Sequence, residues 1–433
     1  MNQEKKHPRL LTISVNAWSE SNSIGIFFSS HFGAWNKENL SNIYLRNEKI
    51  DNKYCSQYFR IAEIDILKSM LSNKSLGIEI SYNEKNRAIL NKGNRKVKAN
   101  KFIESIKRIR PISILFLREL FWSVGFRNKD KLKAFLEKNK PEVIHMHCSG
   151  LIYPHKVLHY CHKITNAKVV LFCGDEIYSY KNFMPLARLY QFFLRIWIKK
   201  TVKISDLNYA ATPELCNYYS VVFGKTFNVL YKGATVIPPK PKTHKLPMKL
   251  IYAGNILWDR WQTLSLIAKA INQISNGRQL YKLEIYTNNG LSKKMLSALN
   301  TEYSEIKKAV AYEEVKRILS VADIVIHAEG FTEKFKKITK YSFSTKIVDC
   351  VQSGSCIMAV GPMELASINF LKNTNAAIIA NSYEDICNQL QLIISDSKII
   401  DEMPLQMYFV VKDKFDLKII REDIYNDIIK ILD

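Results

Sequence analysis

Within "YSFSTKIVD" (341–349), Ser344, Thr345 and Lys346 set two small hydroxyls beside a cation. They fall between "ADIVIHAE" (322–329), an apolar run that reads as a buried strand, and "CVQSGSCIMAV" (350–360), which reads as a helix end, a glycine stop and another buried strand. At a strand-to-helix turn this combination suits a phosphate. The first helical N–H groups and the positive end of the helix favour anionic oxygens, hydroxyls allow close approach, and a neighbouring lysine supplies a point charge. The alternative is an ordinary cap, with Ser344 satisfying the first helical turn. In "FCGDEIYSY" (172–180), Asp175 and Glu176 follow another buried strand. In "HMHCSG" (145–150), His145 and His147 stand at strand spacing on one face, without the further ligands that zinc would need, so they read as core or cleft-edge histidines.

Such a turn needs a scaffold that aligns strand ends. After a stretch rich in proline and lysine, "FNVLYKGATVIPPKPKTHKLPMK" (227–249), strands and amphipathic helices alternate. The order is "LIYAGN", a helix from about Trp261 to Ile274, "KLEIYTN", a helix from about Ser292, a short strand near "AVAY" and a helix over "EEVKRILSVA". Then come "DIVIHAE", a helix from about Thr345 to Gln352, "CIMAVGP", a helix over "MELASINFLKN", "AAIIA" and a helix from about Tyr383. Strands apolar throughout and separated by helices predict a parallel sheet covered on both faces, a doubly wound α/β fold. The first half is less regular, but "RLLTISV", "VIHMHCS", "VVLFCGD" and "LNYAAT" read as strands of the same kind. A chain of 433 residues exceeds one core. The predicted division is a first domain over 1–238, a linker over 239–249, a second domain over 250–414 and a terminal helix over 415–433 that packs back towards the first. In open parallel sheets ligands bind beyond the carboxyl ends of the strands, where "SFSTK" falls.

The formal charge of +24 belongs to one half. Residues 1–250 hold 42 Lys and Arg against 18 Asp and Glu, whereas residues 251–433 hold 22 against 22. Any anionic surface is therefore met by the first half. Two stretches there mix apolar bulk with cations, 112–133 and 187–203. On a helix, Leu189, Phe192, Phe193, Ile196 and Trp197 fall near one face, with Lys199, Lys200 and Lys203 at its end. This reads either as a core-facing helix with a basic rim or as a face that docks on an anionic leaflet. Nucleic acid is not the expected partner, because the aromatic residues are spread through apolar strands and no binding motif appears. The eight cysteines include no CxxC pair, which predicts buried free thiols and no metal site. The N-terminus lacks a signal-peptide core, and the best candidate span, 112–126, is short and carries Arg118 and Glu119 at its centre. The expectation is a cytoplasmic protein, peripheral on the cytoplasmic face of the inner membrane.

The pattern "YAGN…DRW…LEIYT…VAYEEVKRILSVADIVIHAE…YSFSTKIVDCVQSGSCIMAVGP", in two such halves joined by a linker, resembles a GT-B glycosyltransferase. More narrowly it resembles the family-four-like enzymes of bacterial surface polysaccharide biosynthesis. The resemblance is good over roughly 250–390 and diffuse over the first half. It implies two Rossmann-like domains facing across a cleft, the second holding a nucleotide-diphosphate sugar and the first a saccharide or lipid-linked acceptor, with no cofactor and retention at the anomeric carbon. It also implies that Arg260, in "LWDRW", neutralises the diphosphate, the alternative being a surface arginine paired with Asp259. The family's second basic residue is absent, its stretch holding Trp261 and Gln262, and Lys346 takes that work. Of the family's two glutamates, Asp349 occupies the position on the ribose and Tyr341 the position near the donor sugar. Glu329 substitutes for the latter if residues 332–342 form an inserted loop. Gly25, in a glycine-containing loop after the first strand, would let bare backbone approach the donor. Asp175 would stand beside the reacting sugar, with helix N-capping as its alternative.

Breaking the anomeric carbon–oxygen bond leaves negative charge on the diphosphate. Arg260, Lys346 and the helix start at Ser344 and Thr345 would stabilise it electrostatically. A metal is then unnecessary, and no Asp-x-Asp pair lies near this region. Tyr341 in place of a glutamate keeps open an epimerase of the same shape or a catalytically silent subunit.

Overall fold

The computed structural model describes residues 7–20, 22–72, 75–82, 112–179 and 185–433. Two units emerge, Met1–Leu230 with Arg421–Asp433, and Tyr231–Ile420.

In the first unit the strands are β1 (Leu10–Ser14), β2 (Leu40–Tyr44), β3 (Gln57–Arg60), β4 (Ile78–Ser81), β5 (Val143–His147), β6 (Lys168–Cys173), β7 (Leu207–Ala210) and β8 (Asn228–Val229). They form one sheet in the order β4-β3-β2-β1-β5-β6-β7-β8, parallel throughout except for β3 with β4. The central strand β1 pairs Leu10 with Leu40 on one side and with Val143 on the other. The apolar runs found in the sequence are β1, β5, β6 and β7. Strand β2, "LSNIY", has no such signature, because Ser41 and Asn42 are buried at its middle. Asn42 Nδ2 donates to Thr12 Oγ1 at 2.9 Å and its Oδ1 accepts from the Trp18 N–H at 3.2 Å. A buried amide is costly only when unpaired, so neighbouring side chains make this polar strand tolerable.

The second unit holds β9 (Met248–Ala253), β10 (Tyr281–Thr287), β11 (Ser304–Lys308), β12 (Ile324–Ala328), β13 (Cys356–Val360) and β14 (Ile378–Ala380). All are parallel, in the order β11-β10-β9-β12-β13-β14. The winding direction reverses between β9 and β12, so the chain leaves their carboxyl ends in opposite directions, the point at which open parallel sheets bind ligands. The helix Arg260–Ser275 packs on this sheet through Leu264, Ile267 and Ile271, spaced as one helical face.

Two local expectations fail. The strand expected near "AVAY" lies earlier, at Ser304–Lys308, where "SEIKK" is a half-exposed edge strand with little apolar signal. Residues 332–342 do not form an open loop, because Glu333–Thr339 is helical. The stretch from Tyr231 to the start of β9 belongs with the second unit: Ala234 N–H donates to the Phe415 carbonyl at 2.8 Å, and His244 bridges Asp323 and Asp401 at 2.5 and 2.9 Å. The final helix, Leu417–Leu432, contributes its residues from Arg421 onwards to the first unit, where Asp427 accepts from Tyr209 Oη at 2.8 Å. All eight cysteines are free, seven of them buried. Among the described residues no helix is long and apolar enough to cross a membrane.

Candidate functional site

Past the end of β9 the chain passes Gly254 and Asn255 and enters the helix Arg260–Ser275 through two left-handed residues, Trp258 (φ 64°) and Asp259 (φ 60°). Side chains disfavour this region, so the surroundings must hold it. Thr332 Oγ1 donates to Asp259 Oδ2 at 2.8 Å, and Gly330 lies so close that a Cβ there would sit 2.2 Å from the Trp258 carbonyl oxygen.

The turn aims Arg260 at the residue that follows β12. Its Nε and Nη2 donate to the two carboxylate oxygens of Glu329 at 3.1 and 2.9 Å, and its Nη1 donates to Asn255 Oδ1 at 2.9 Å. The side chain of Glu329 is only 3% exposed. The resemblance implies separate tasks for these residues, one on the diphosphate and one near the sugar; the fold joins them as a fork-to-fork pair. The carboxylate that holds Arg260 is thus Glu329, and the expected loop by which Glu329 would reach a sugar is helical.

Lys346 opens the helix Lys346–Gln352, with Thr345 at the N-cap and no side-chain cap. Ser344 is half-buried and Thr345 exposed. The capping alternative for Ser344 is not realised; its carbonyl accepts from Ile347 N–H at 2.9 Å. Lys346 reaches inward, where Nζ donates to Tyr252 Oη at 3.2 Å and lies 5.0 Å from the centre of that ring. Tyr252 Oη donates in turn to the Asn255 carbonyl. Gly254 (φ 150°) makes this possible, since a Cβ there would lie 2.3 Å from Lys346 Nζ. Burial and then the charge of Arg260 bring Lys346 down to about 8. Buried His327, with Nε2 3.6 Å from Glu329 Oε1, is pushed to about 3 by burial, Arg260 and Lys346, and is neutral. Two cations therefore face one carboxylate, leaving one positive charge beyond the ends of β9 and β12.

Asp349 is also engaged. Its Oδ1 accepts from Lys232 Nζ and from Tyr312 Oη, each at 2.7 Å. Neither partner is legible in the sequence, although "YKG" and "YAGN", with glycine beside polar residues at strand ends, are the signals that could have pointed to Lys232 and to the Tyr252–Asn255 turn.

In the first unit Asp175 is exposed just past β6. No helix follows Asp175 directly; Glu176 closes the turn there, its Oε1 accepting from the N–H groups of Tyr178 and Ser179 at 2.7 and 2.6 Å. His147, at the end of β5, lies within the field of Asp175; burial lowers its pKa and the Asp175 charge opposes that shift. His145 is buried against the rings of Phe28 and Phe32, a core residue. Gly25 lies in the first turn of the helix Ser23–Phe32 and not in a loop. Its N–H donates to Asn22 Oδ1 at 2.8 Å, and a Cβ would lie 1.9 Å from the Ser19 carbonyl oxygen, so its bareness admits protein backbone.

The pH dependence of Lys346 has a definite sign. Its folded value, about 8, lies below the ordinary 10.5, so between these values the unfolded chain binds more protons and this group makes stability rise with pH; below about 8 both states are protonated and its slope vanishes. Lys346→Met should therefore melt above the wild type at pH 7, with the gap closing as the pH approaches 10. Thermal melts across that range check this, and a gap independent of pH would contradict it.

No protein-family model and no curated protein sequence matches the chain. Among solved structures it is similar to Anabaena HepE in complex with UDP, with a TM-score of 0.63 and 9% identity over 98% of this chain and 100% of that one. It is also similar to apo OtsA, with a TM-score of 0.53 and 11% identity over 97% and 99% of the two chains. A variant of S. aureus TarM in complex with UDP and alpha-GlcNAc-glycerol matches with a TM-score of 0.52 and 14% identity over 68% of this chain and 58% of that one. These likenesses show the GT-B fold.

Proposed function

We propose that the chain is a glycosyltransferase that takes a sugar from a nucleotide-diphosphate donor and passes it to a saccharide or lipid-linked saccharide acceptor. The setting in this reading is cell-surface polysaccharide biosynthesis on the cytoplasmic face of the inner membrane. One observation carries it: Arg260 and Lys346, from separate elements, stand together at the switch point between β9 and β12, beside an uncapped helix start. Support for the donor type comes from HepE, which shares the fold and whose structures hold UDP and UDP-glucose.

In this reading Lys346 and Arg260 meet the charge that develops on the diphosphate as the anomeric carbon–oxygen bond breaks. Glu329 acts through Arg260, fixing the plane of the guanidinium. Asp349, oriented by Lys232 and Tyr312, accepts hydrogen bonds from the ribose hydroxyls. Asp175 is the residue of the first unit assigned to the sugar, and the sugar's configuration is retained. Because protein cations neutralise the leaving group, activity should survive a chelator; complete loss that manganese or magnesium restores would contradict this part.

The test of the whole reading is a panel of nucleotide sugars, scored by thermal shift and by donor hydrolysis, with at least one expected to raise the melting temperature and be turned over. Tyr341, standing where a glutamate is expected, favours a second reading, a silent subunit or an epimerase. Binding without turnover, or with formation of the epimeric nucleotide sugar, would select it.

A further inference from the structure

The helix Pro185–Ile204 has two apolar faces. Tyr190, Leu194 and Ile198 lie on the buried one. Of the stripe that the sequence places on one face, Leu189, Phe192 and Phe193 lie on the other, 47%, 58% and 43% exposed, while Ile196 and Trp197 are half-buried, Trp197 with its ring 5.5 Å from that of His159. A core-facing helix with a basic rim does not describe this arrangement, because the core already has its own face. The neighbouring helix Ile112–Gly125, whose Phe116 ring lies 5.5 Å from that of Tyr190, repeats the pattern. Glu119 and Trp122 are buried, while Leu117 and Leu120 are 65% and 62% exposed. A third helix, Glu63–Ser72, packs so closely on the second that a Cβ on Gly125 would lie 2.1 Å from Ile66, and its Leu71 is exposed too.

Large apolar side chains exposed on adjacent helices mark an interaction surface, and charge selects the partner. Lys199, Lys200 and Lys203 follow the aromatic stripe and are exposed. The first unit, residues 1–230 and 421–433, holds 39 Lys and Arg against 22 Asp and Glu. Residues 83–111, outside the described part, account for ten of its Lys and Arg and two of its acidic residues. An anionic leaflet offers both complements, acyl chains for the aromatic and leucine side chains and phosphates for lysines that keep their ammonium groups at the headgroups.

We propose that this face of the first unit docks on an anionic membrane surface, with Phe192, Phe193, Leu117 and Leu120 entering the acyl boundary and Lys199, Lys200 and Lys203 meeting lipid phosphates. The proposal deepens the reading of the preceding section by giving it a surface, and it rests on that reading for the choice of leaflet alone. Vesicle binding is measured without any donor, so the two fail separately.

The experiment is co-sedimentation of the full chain with phosphatidylcholine vesicles, with and without phosphatidylglycerol, across a salt series. Binding should need the anionic lipid and weaken as salt shortens the Debye length. The Phe192→Ser/Phe193→Ser variant and the Lys199→Glu/Lys200→Glu/Lys203→Glu variant should each bind at least roughly tenfold more weakly. Their melting temperatures should not change, because every substituted side chain is exposed. Equal binding to both vesicle types, binding to neither, or variants that bind like the wild type would each overturn the proposal. So would a dimer that the phenylalanine variant converts to a monomer without any vesicle binding, which would make the face a contact between copies. Vesicle binding by a protein inert towards every nucleotide sugar would reject the transferase and leave the docking face standing.

Discussion

Lys346→Met should lower turnover by roughly a hundredfold, the scale of losing one preorganised donor to a developing anion, without lowering the melting temperature. The stem stays and the charge goes. Lys346 Nζ has Tyr252 Oη as its hydrogen-bond partner, and burial already disfavours its charged form. The folded protein therefore loses little when the ammonium is removed, whereas a diphosphate loses the cation that no carboxylate offsets at ion-pair distance among the described residues. Initial rates with the donor found in the panel, measured beside thermal melts, check both halves. Unchanged rates would remove Lys346 from the site, and a lost fold would make its role structural.

Glu329→Ala should destabilise the second unit by about 3–5 kcal/mol, the cost of leaving a buried charge without its partner. The carboxylate is nearly inaccessible, and two guanidinium N–H groups bond to it. A solvated loop carboxylate in the same place would cost less than about 0.5 kcal/mol. Denaturant unfolding distinguishes the two, and a change at the lower value would contradict the pairing. Activity should follow a different course in Glu329→Gln, which keeps the shape: Arg260 then loses its fixed plane, and the loss should fall mainly on KM for the donor.

The alternation of the second unit is plain in the sequence because its strands are buried on both faces and therefore read as continuous apolar runs. The first unit is less legible for the converse reason. Strand β2 carries Asn42 at its centre, and nothing local shows that Thr12 and the Trp18 backbone will satisfy it. The phosphate-suited turn was visible because Ser344, Thr345 and Lys346 are consecutive. The pairing of Arg260 with Glu329 was not, because they lie 69 residues apart and meet only because β9 and β12 are neighbours at the point where the winding reverses. Asp349 and Lys232, 117 residues apart, are hidden in the same way. Leu189 and Phe192 do share one exposed face, but which face the core takes is decided by Tyr190 and Leu194, whose neighbours come from elsewhere in the chain.

Whether the ends of β9 and β12 hold a diphosphate is tested most directly by calorimetric titration of nucleoside diphosphates into the wild-type protein and into Lys346→Met. At least one should bind the wild type, and the variant should bind it at least tenfold more weakly, about 1.4 kcal/mol. Equal affinity for both proteins, or no binding to the wild type by any nucleoside diphosphate, would contradict a donor site built on Lys346 and Arg260.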